Sequence, residues 1–250
     1  MVKHFIVMAS AYSLGKRIAL DYFDDDILQM DVIQKELDYI INKCGEDVPI
    51  STHFIQTEKP GWNEVTKLDK FFSGVKLLDT KEEFIGILLK DRELKGIDIA
   101  KYILTKVPCT HLKLEKLVYM CYADYLCSTK EKLFNDRIYA YKLGPVIETV
   151  YEKYKKAGHD DLAVEDDRRT YNETDKVMPI RSRILSSSNG LKKIISIDKT
   201  LEKYSNYPAS FLVDLTHKNS TPWSKSGAGR IANKLISDSL ILKYHSFEEI

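Results

Sequence analysis

Few residues have the types and spacing that chemistry needs. His111 and Glu115 stand four apart, which sets an imidazole beside a carboxylate on one helical face. An H-x-x-x-E pair alone is too common to signal a metal and reads as a solvated surface pair. Asp214 and His217 stand one turn apart with Thr216 between them, the residue types of a hydroxyl–imidazole–carboxylate relay. No surrounding context activates a nucleophile, so a hydrogen-bonded, half-buried histidine at a helix end is the favoured reading. The four cysteines, Cys44, Cys109, Cys121 and Cys127, contain no C-x-x-C pair, which removes zinc spacing and leaves buried thiols of a reducing compartment. Gly144-Pro145 sits where the period of R-I-Y-A-Y-K-L-G-P-V-I-E-T-V-Y changes from two toward 3.6. A dinucleotide loop needs G-x-G-x-x-G, a phosphate loop G-x-x-x-x-G-K-[ST], and a nucleophile elbow a Ser or Cys between glycines. None is present here, so this joint is expected to be structural. No catalytic residue, metal or cofactor is expected anywhere in the chain.

The elements that position these residues follow from pattern and punctuation. Asp31 is expected to cap a helix through Ile33, Leu37, Ile40 and Ile41 that Gly45 closes. Ile50 to Ile55 alternates as a strand, Lys59-Pro60-Gly61-Trp62 reads as a turn, and Thr80-Lys81-Glu82-Glu83 is a capping box. Asp98 is expected to cap a helix that Pro108 ends, and Thr110 the next one. That second helix carries the apolar stripe Leu114, Leu117, Val118, Cys121, Tyr122, Tyr125 and Leu126, flanked by Lys113 and Lys116. Pro145 suits a helix first turn, giving a strand-to-helix joint followed by Val146, Ile147, Val150, Tyr151 and Tyr154 on one face. Residues 160 to 190 are polar and read as exposed connection. Leu191 to Tyr204, Pro208 to His217 and Ile231 to Tyr244 read as helices.

Composition bounds the class. The 250 residues carry a net charge of +1 with acids and bases interspersed, which argues against a dedicated nucleic-acid binder and leaves only a local patch open. The N-terminal apolar run Phe5 to Met8 is too short for a signal peptide, and no run approaches a membrane span, so a cytoplasmic protein with no membrane partner is expected. Two regions are expected: residues 1–95, a small mixed α/β unit without a chemical motif, and 96–250, a compact helical domain with a short extended segment. The fold class is mainly α, α+β overall.

Several blocks in that second region resemble a known family. His111-Leu-Lys113-Leu-Glu-Lys116-Leu-Val-Tyr119 resembles the "LKLQKLLY" helix of Panacea-domain proteins, the SocA-like antitoxins. Leu133-Phe134-Asn-Asp136-Arg-Ile138-Tyr-Ala140-Tyr141 resembles that family's "LF-x-x-x-I-x-A-W". Leu143-Gly144-Pro145-Val146 with Val150-Tyr151 resembles "YGPV…VY", Leu215-Thr216-His217 with Pro222-Trp223 resembles "LTH…PW", and Ile236-Ser237-Asp238 with Ile241 resembles "I-S-D-x-x-I". The blocks span about residues 97 to 250. Tyr141 stands where the family often has Trp, and Leu143 where it often has Tyr or His.

The resemblance implies a mainly helical antitoxin that neutralises a cognate toxin by direct binding, commonly from a prophage or other mobile element. One branch of the family instead presents the toxin to a protease. The other readings kept are a regulatory protein of a phage or mobile element that binds DNA or a host protein, and an enzyme with an unrecognised site. For an antitoxin the expected contacts are Lys113, Lys116, Tyr119, Tyr139, Tyr141, Tyr151, His217 and Trp223, while Phe134, Gly144, Pro145, Val146, Thr216 and Pro222 are expected to define the fold. Residues 1–95 are expected either to modify toxin choice or to complete the core.

Overall fold

The computed structural model describes residues 1–162, 180–227 and 233–248. In chain order the elements are β1 (Val2–Ala11), β2 (Lys16–Asp24), α1 (Met30–Cys44), β3 (Ile50–Thr57), α2 (Trp62–Leu68), β4 (Lys76–Leu77) and α3 (Lys81–Arg92). They continue with α4 (Gly96–Leu104), β5 (Cys109–Thr110), α5 (His111–Thr129), β6 (Ile138–Tyr141), β7 (Gly144–Ile147), α6 (Glu148–Tyr154) and β8 (Asp161–Leu162). Then come α7 (Ile180–Leu185), α8 (Gly190–Tyr204), α9 (Ala209–His217), α10 (Pro222–Lys225), β9 (Lys234–Ile236) and α11 (Asp238–Tyr244). The chain is mainly helical, with a mixed α/β N-terminal part. The chain divides into two compact units, Met1–Glu93 with residues 180–188, and 94–162 with 189–227 and 233–248.

The first unit is built on a four-stranded sheet of order β3-β1-β2-β4, with β1 antiparallel to both long neighbours. Sequence periodicity does not show β1 or β2. V-K-H-F-I-V-M-A-S-A is buried on both faces along Ile6 to Ala9, which erases the alternation of a half-exposed strand. One face packs Val7, Ala9, Ile18 and Leu20 against Ile33, Leu37 and Ile40 of α1 and Phe84 and Leu88 of α3. The other packs Ile6, Met8 and Ala19 against Val65, Phe72 and Val75. Gly45 closes α1 and Thr80 caps α3 as expected, but Asp31 lies inside the first turn of α1 and Gln29 holds the N-cap place without a side-chain bond.

The division does not follow a single cut at residue 95. The described residues 180–188, inside what the sequence presents as a polar connection, belong with the first unit. Arg183 explains why. Its guanidinium donates to the carbonyl oxygens of Asp91 and Glu93 and lies over the Tyr12 ring at 4.6 Å. Those carbonyls end α3, where intrahelical partners run out. Residues 163–179 of that polar connection, and 231–232 at the start of the expected last helix, lie outside the described residues.

The second unit is organised around α5. Thr110 caps it by accepting from the Lys113 N–H, as its position suggests. The stripe from Leu114 to Leu126 is buried, but so are Glu115, Lys116, Tyr119, Met120 and Ala123, because α4, α8, α9, α11 and β7 surround the helix. Asp98 sits at the third position of α4, where its carboxylate accepts from the Lys95 N–H. The expected long last helix is instead strand β9 followed by α11, which Ser237 caps. Strand β9 joins β6 and β7 in a sheet of order β7-β6-β9.

Replacing Arg183 with Met keeps the apolar stem and removes both donors. The two carbonyls then lose buried partners, at roughly 1–3 kcal/mol. A urea midpoint equal to that of the wild type would contradict this role.

Candidate functional site

Gly144-Pro145 does not begin a helix. The two residues open β7, the second strand of a hairpin whose partner is β6, with Ala140 opposite Pro145 and Tyr141 opposite Gly144. Lys142 and Leu143 form the turn, and the helix starts only at Glu148. Extended backbone suits Pro145 here because its carbonyl is what the fold uses. Lys116 Nζ donates to Pro145 O at 2.6 Å, and the preceding residue of α5, Glu115, accepts from the Ile147 N–H at 3.2 Å. Adjacent charged residues on one helix therefore fasten both ends of a single short strand.

Gly144 makes this possible. Its φ is +106°, and a Cβ there would meet Thr216 Oγ1 at 2.8 Å and Lys116 Nζ at 2.9 Å. Thr216, fully buried, donates to Val213 O at 2.8 Å. His217 Nδ1 reaches Val213 O at 2.6 Å, and its Nε2 reaches Lys142 O in the hairpin turn at 3.2 Å. Trp223 lies against His217, with centroids 3.8 Å apart and the ring planes tilted by 53°, and donates its indole N–H to Tyr141 O at 2.8 Å. Thr221 ties the turn between α9 and α10 by donating to Thr216 O. The Thr216-His217 and Pro222-Trp223 elements are thus a clip on the β6–β7 hairpin.

The structure gathers some of the expected contact residues and separates others. Tyr141 and Tyr151 lie against each other at 5.4 Å, half-exposed, beside the half-exposed His217 and Trp223 and the exposed Leu143. Tyr139 is half-buried on the same strand face as Tyr141. Lys113 is not a free surface charge: it donates to Ser205 O at the C-terminal end of α8, where unpaired carbonyls favour a cation. Lys116 and Tyr119 are completely buried, because α5 has no solvent side, and cannot touch a partner in this conformation. Phe134, packed on Tyr122 at 4.7 Å, is buried, as are Val146 and Pro222. The two candidate pairs do not form: His111 turns to Gly158 O, and Asp214 is exposed while His217 takes backbone carbonyls.

A buried charge network escaped the sequence. His245 lies between Asp124 (Nε2 to Oδ1, 2.7 Å) and Glu248 (Nδ1 to Oε2, 2.8 Å), and Tyr119 donates to the same Glu248 oxygen. Thr200 adds a bond to Asp124. Burial pulls the imidazole toward neutrality, but its bonds to Asp124 and Glu248 outweigh that and raise its pKa to about 9. Burial also raises Glu248 and Glu115 and lowers Lys116, with their mutual charges opposing the shift. The advance signal was Glu115, Lys116 and Asp124, charged residues set among the apolar positions of α5.

In the first unit, His4 bridges Asp21 (2.9 Å) and Thr57 (3.0 Å), the residue types of a relay. The Thr57 hydroxyl donates to Lys59 O at 2.7 Å, so it receives from the imidazole rather than yielding a proton to it. The trio is wired as a tie across three strands. Among the described residues no three His, Cys, Asp or Glu side chains gather to hold a metal ion.

Gly144→Val should cost about 2–5 kcal/mol through positive-φ strain and overpacking against Thr216 and Lys116. An unchanged melting temperature would rule this out. A second prediction concerns pH. Because the folded-state pKa of His245 lies above its ordinary 6.5, its stabilisation is whole below about 6.5 and drains away as pH rises through about 9. The stability difference between wild type and His245→Gln should therefore shrink over that window by on the order of 3 kcal/mol, contributions of Glu115 and Lys116 being common to both proteins. A difference that does not change with pH would exclude a charged His245.

The comparisons bear on this same region. A family model described as antitoxin SocA-like, Panacea domain, matches residues 114–224. The N-terminal part of the chain is not matched, and neither are the resembling residues before Leu114 nor Ile236-Ser237-Asp238. Nothing matches among the curated proteins or the solved structures compared with the chain. The stretch from Leu114 to Ser224, which holds most of α5, the hairpin and the His217–Trp223 clip, is the part of the chain that is similar to the antitoxin SocA-like, Panacea domain.

Proposed function

We propose that this protein is the antitoxin of a toxin–antitoxin pair and neutralises its toxin by direct binding, without catalysis, in the cytoplasm of a cell whose prophage or mobile element encodes both. The family match supports an antitoxin role and a protein partner in general. The observation that carries the finer reading is the clip. His217 and Trp223 spend their polar atoms on Lys142 O and Tyr141 O, which fixes the hairpin and leaves Tyr141, Leu143 and Tyr151 displayed beside the two rings. Rigid, half-exposed aromatics lose little side-chain freedom on binding and are the usual anchors of a tight interface. Leu143 is 51% exposed at the tip of this surface, which needs an apolar counterpart. None of the described helices is long and apolar enough to cross a membrane, consistent with action on a soluble toxin.

Co-expression with the protein encoded by the adjacent gene tests the reading: growth arrest by that protein should be relieved. Leu143→Glu and Tyr151→Ala, both outside the clip, should each weaken toxin binding by roughly 10–100-fold while the circular dichroism spectrum stays native. Arrest that persists at full strength with the wild-type chain would refute the function. Full binding by both variants would refute the surface.

A further inference from the structure

The sheet of the first unit ends on β3, which among the described residues is bonded to β1 and to no other strand. Natural edge strands are usually blunted by lysine, proline, a bulge or short length. Strand β3 has none of these. It reads I-S-T-H-F-I-Q-T over 8 residues, with no proline and no formal charge, and pairs residue for residue with β1. Phe54 is 57% exposed on one face. On the other, His53 packs on Phe71 and Phe72 at 5.3 and 5.4 Å, and Phe71 is 46% exposed. A cavity of about 560 Å³ runs past Thr52, His53, Phe54 and Ile55 to Phe71. Residues of both parities line it, so it follows the edge of the strand rather than one face.

We propose that β3 pairs with β3 of a second copy of this chain, antiparallel across a two-fold axis at Phe54, so that two sheets become one. The strand's own pattern selects both occupant and register. With Phe54 opposite its copy, Thr52 meets Gln56, Ser51 meets Thr57 and His53 meets Ile55. Aromatic then faces aromatic and hydroxyl faces hydroxyl or amide, and His53 with Ile55 is the one mixed pairing. Centring on His53 instead sets Thr52 against Phe54 and Ser51 against Ile55, polar against apolar. A shift by one residue would oppose side chains of different faces. No position of the strand is charged, so self-pairing opposes no like charges. The contact is isologous and closes at two copies, covering both free edges.

Light scattering on the full chain, from low micromolar concentration upward, tests this. The wild type should approach twice 28.8 kDa. Phe54→Lys and Phe54→Glu each place like charges on the axis and should each raise the dimer dissociation constant about tenfold or more. Mixing the two variants should restore the dimer, because Lys then faces Glu. Thr52→Lys, one step along the same face, should weaken the dimer as well, and circular dichroism establishes that each variant is folded. A wild type that stays at one chain mass, leaving the edge to an extended segment of another protein, overturns the proposal. So does a dimer indifferent to Phe54→Lys, or a mixture that stays monomeric.

Discussion

The buried ammonium of Lys116 is the constraint on which the second unit depends. A charge taken out of water costs several kcal/mol unless polar partners surround it. Here the partner is the Pro145 carbonyl, with the Glu115 and Glu248 carboxylates contributing their charges. The bond holds only if β7 runs close against α5, and that approach leaves no room for a Cβ at Gly144. Glycine at 144, a proline that adds no competing N–H at 145, and lysine at 116 are three consequences of one contact.

The same contact shapes the surface. With β7 held on α5, the hairpin turn at Lys142-Leu143 projects beyond the helix, and its carbonyls would face outward unpaired. His217 and Trp223 take them up. Polar atoms of large rings are thereby satisfied internally, and their apolar bodies remain beside Tyr141 and Tyr151. A binding surface made this way is stiff at its clip, because moving the His217 or Trp223 ring breaks a backbone hydrogen bond. The C-terminal residues His245 and Glu248 complete the environment of α5 from another direction, through Tyr119 and Asp124.

The first unit follows a different logic. Its sheet is covered on both faces, and its polar ties are local, with His4 between Asp21 and Thr57 and Arg183 on the last carbonyls of α3. Segment 180–188 is recruited by those carbonyls although its sequence is polar and punctuated by serines. Hydrogen-bond demand at a helix end draws Arg183 there, and Ile180 and Ile184 of the same short helix are buried with it.

What the sequence by itself determined was local. Thr80 and Thr110 announce the starts of α3 and α5 because a cap bonds residues only three apart, and the stripe of α5 announces its burial because helical spacing is local too. The quoted blocks between Leu114 and Ser224 pointed to the family whose model matches that stretch, since short-range likeness survives without knowledge of contacts. Tertiary structure alone decided the rest. From the sequence, Lys116 reads as flanking the stripe and Tyr119 as a contact residue, but whether a helix has a solvent side depends on how many distant elements pack on it. Gly144-Pro145 fits a helix start or a strand equally well by φ, and the choice was made by Lys116, twenty-eight residues away. Residues 2–24 hid their strands because burial on both faces removes the period of two. His245 and Glu248 are three residues apart, but the bond of His245 to Asp124 joins residues 121 apart on the chain, a separation at which no spacing rule operates and only the folded backbone brings charge to charge.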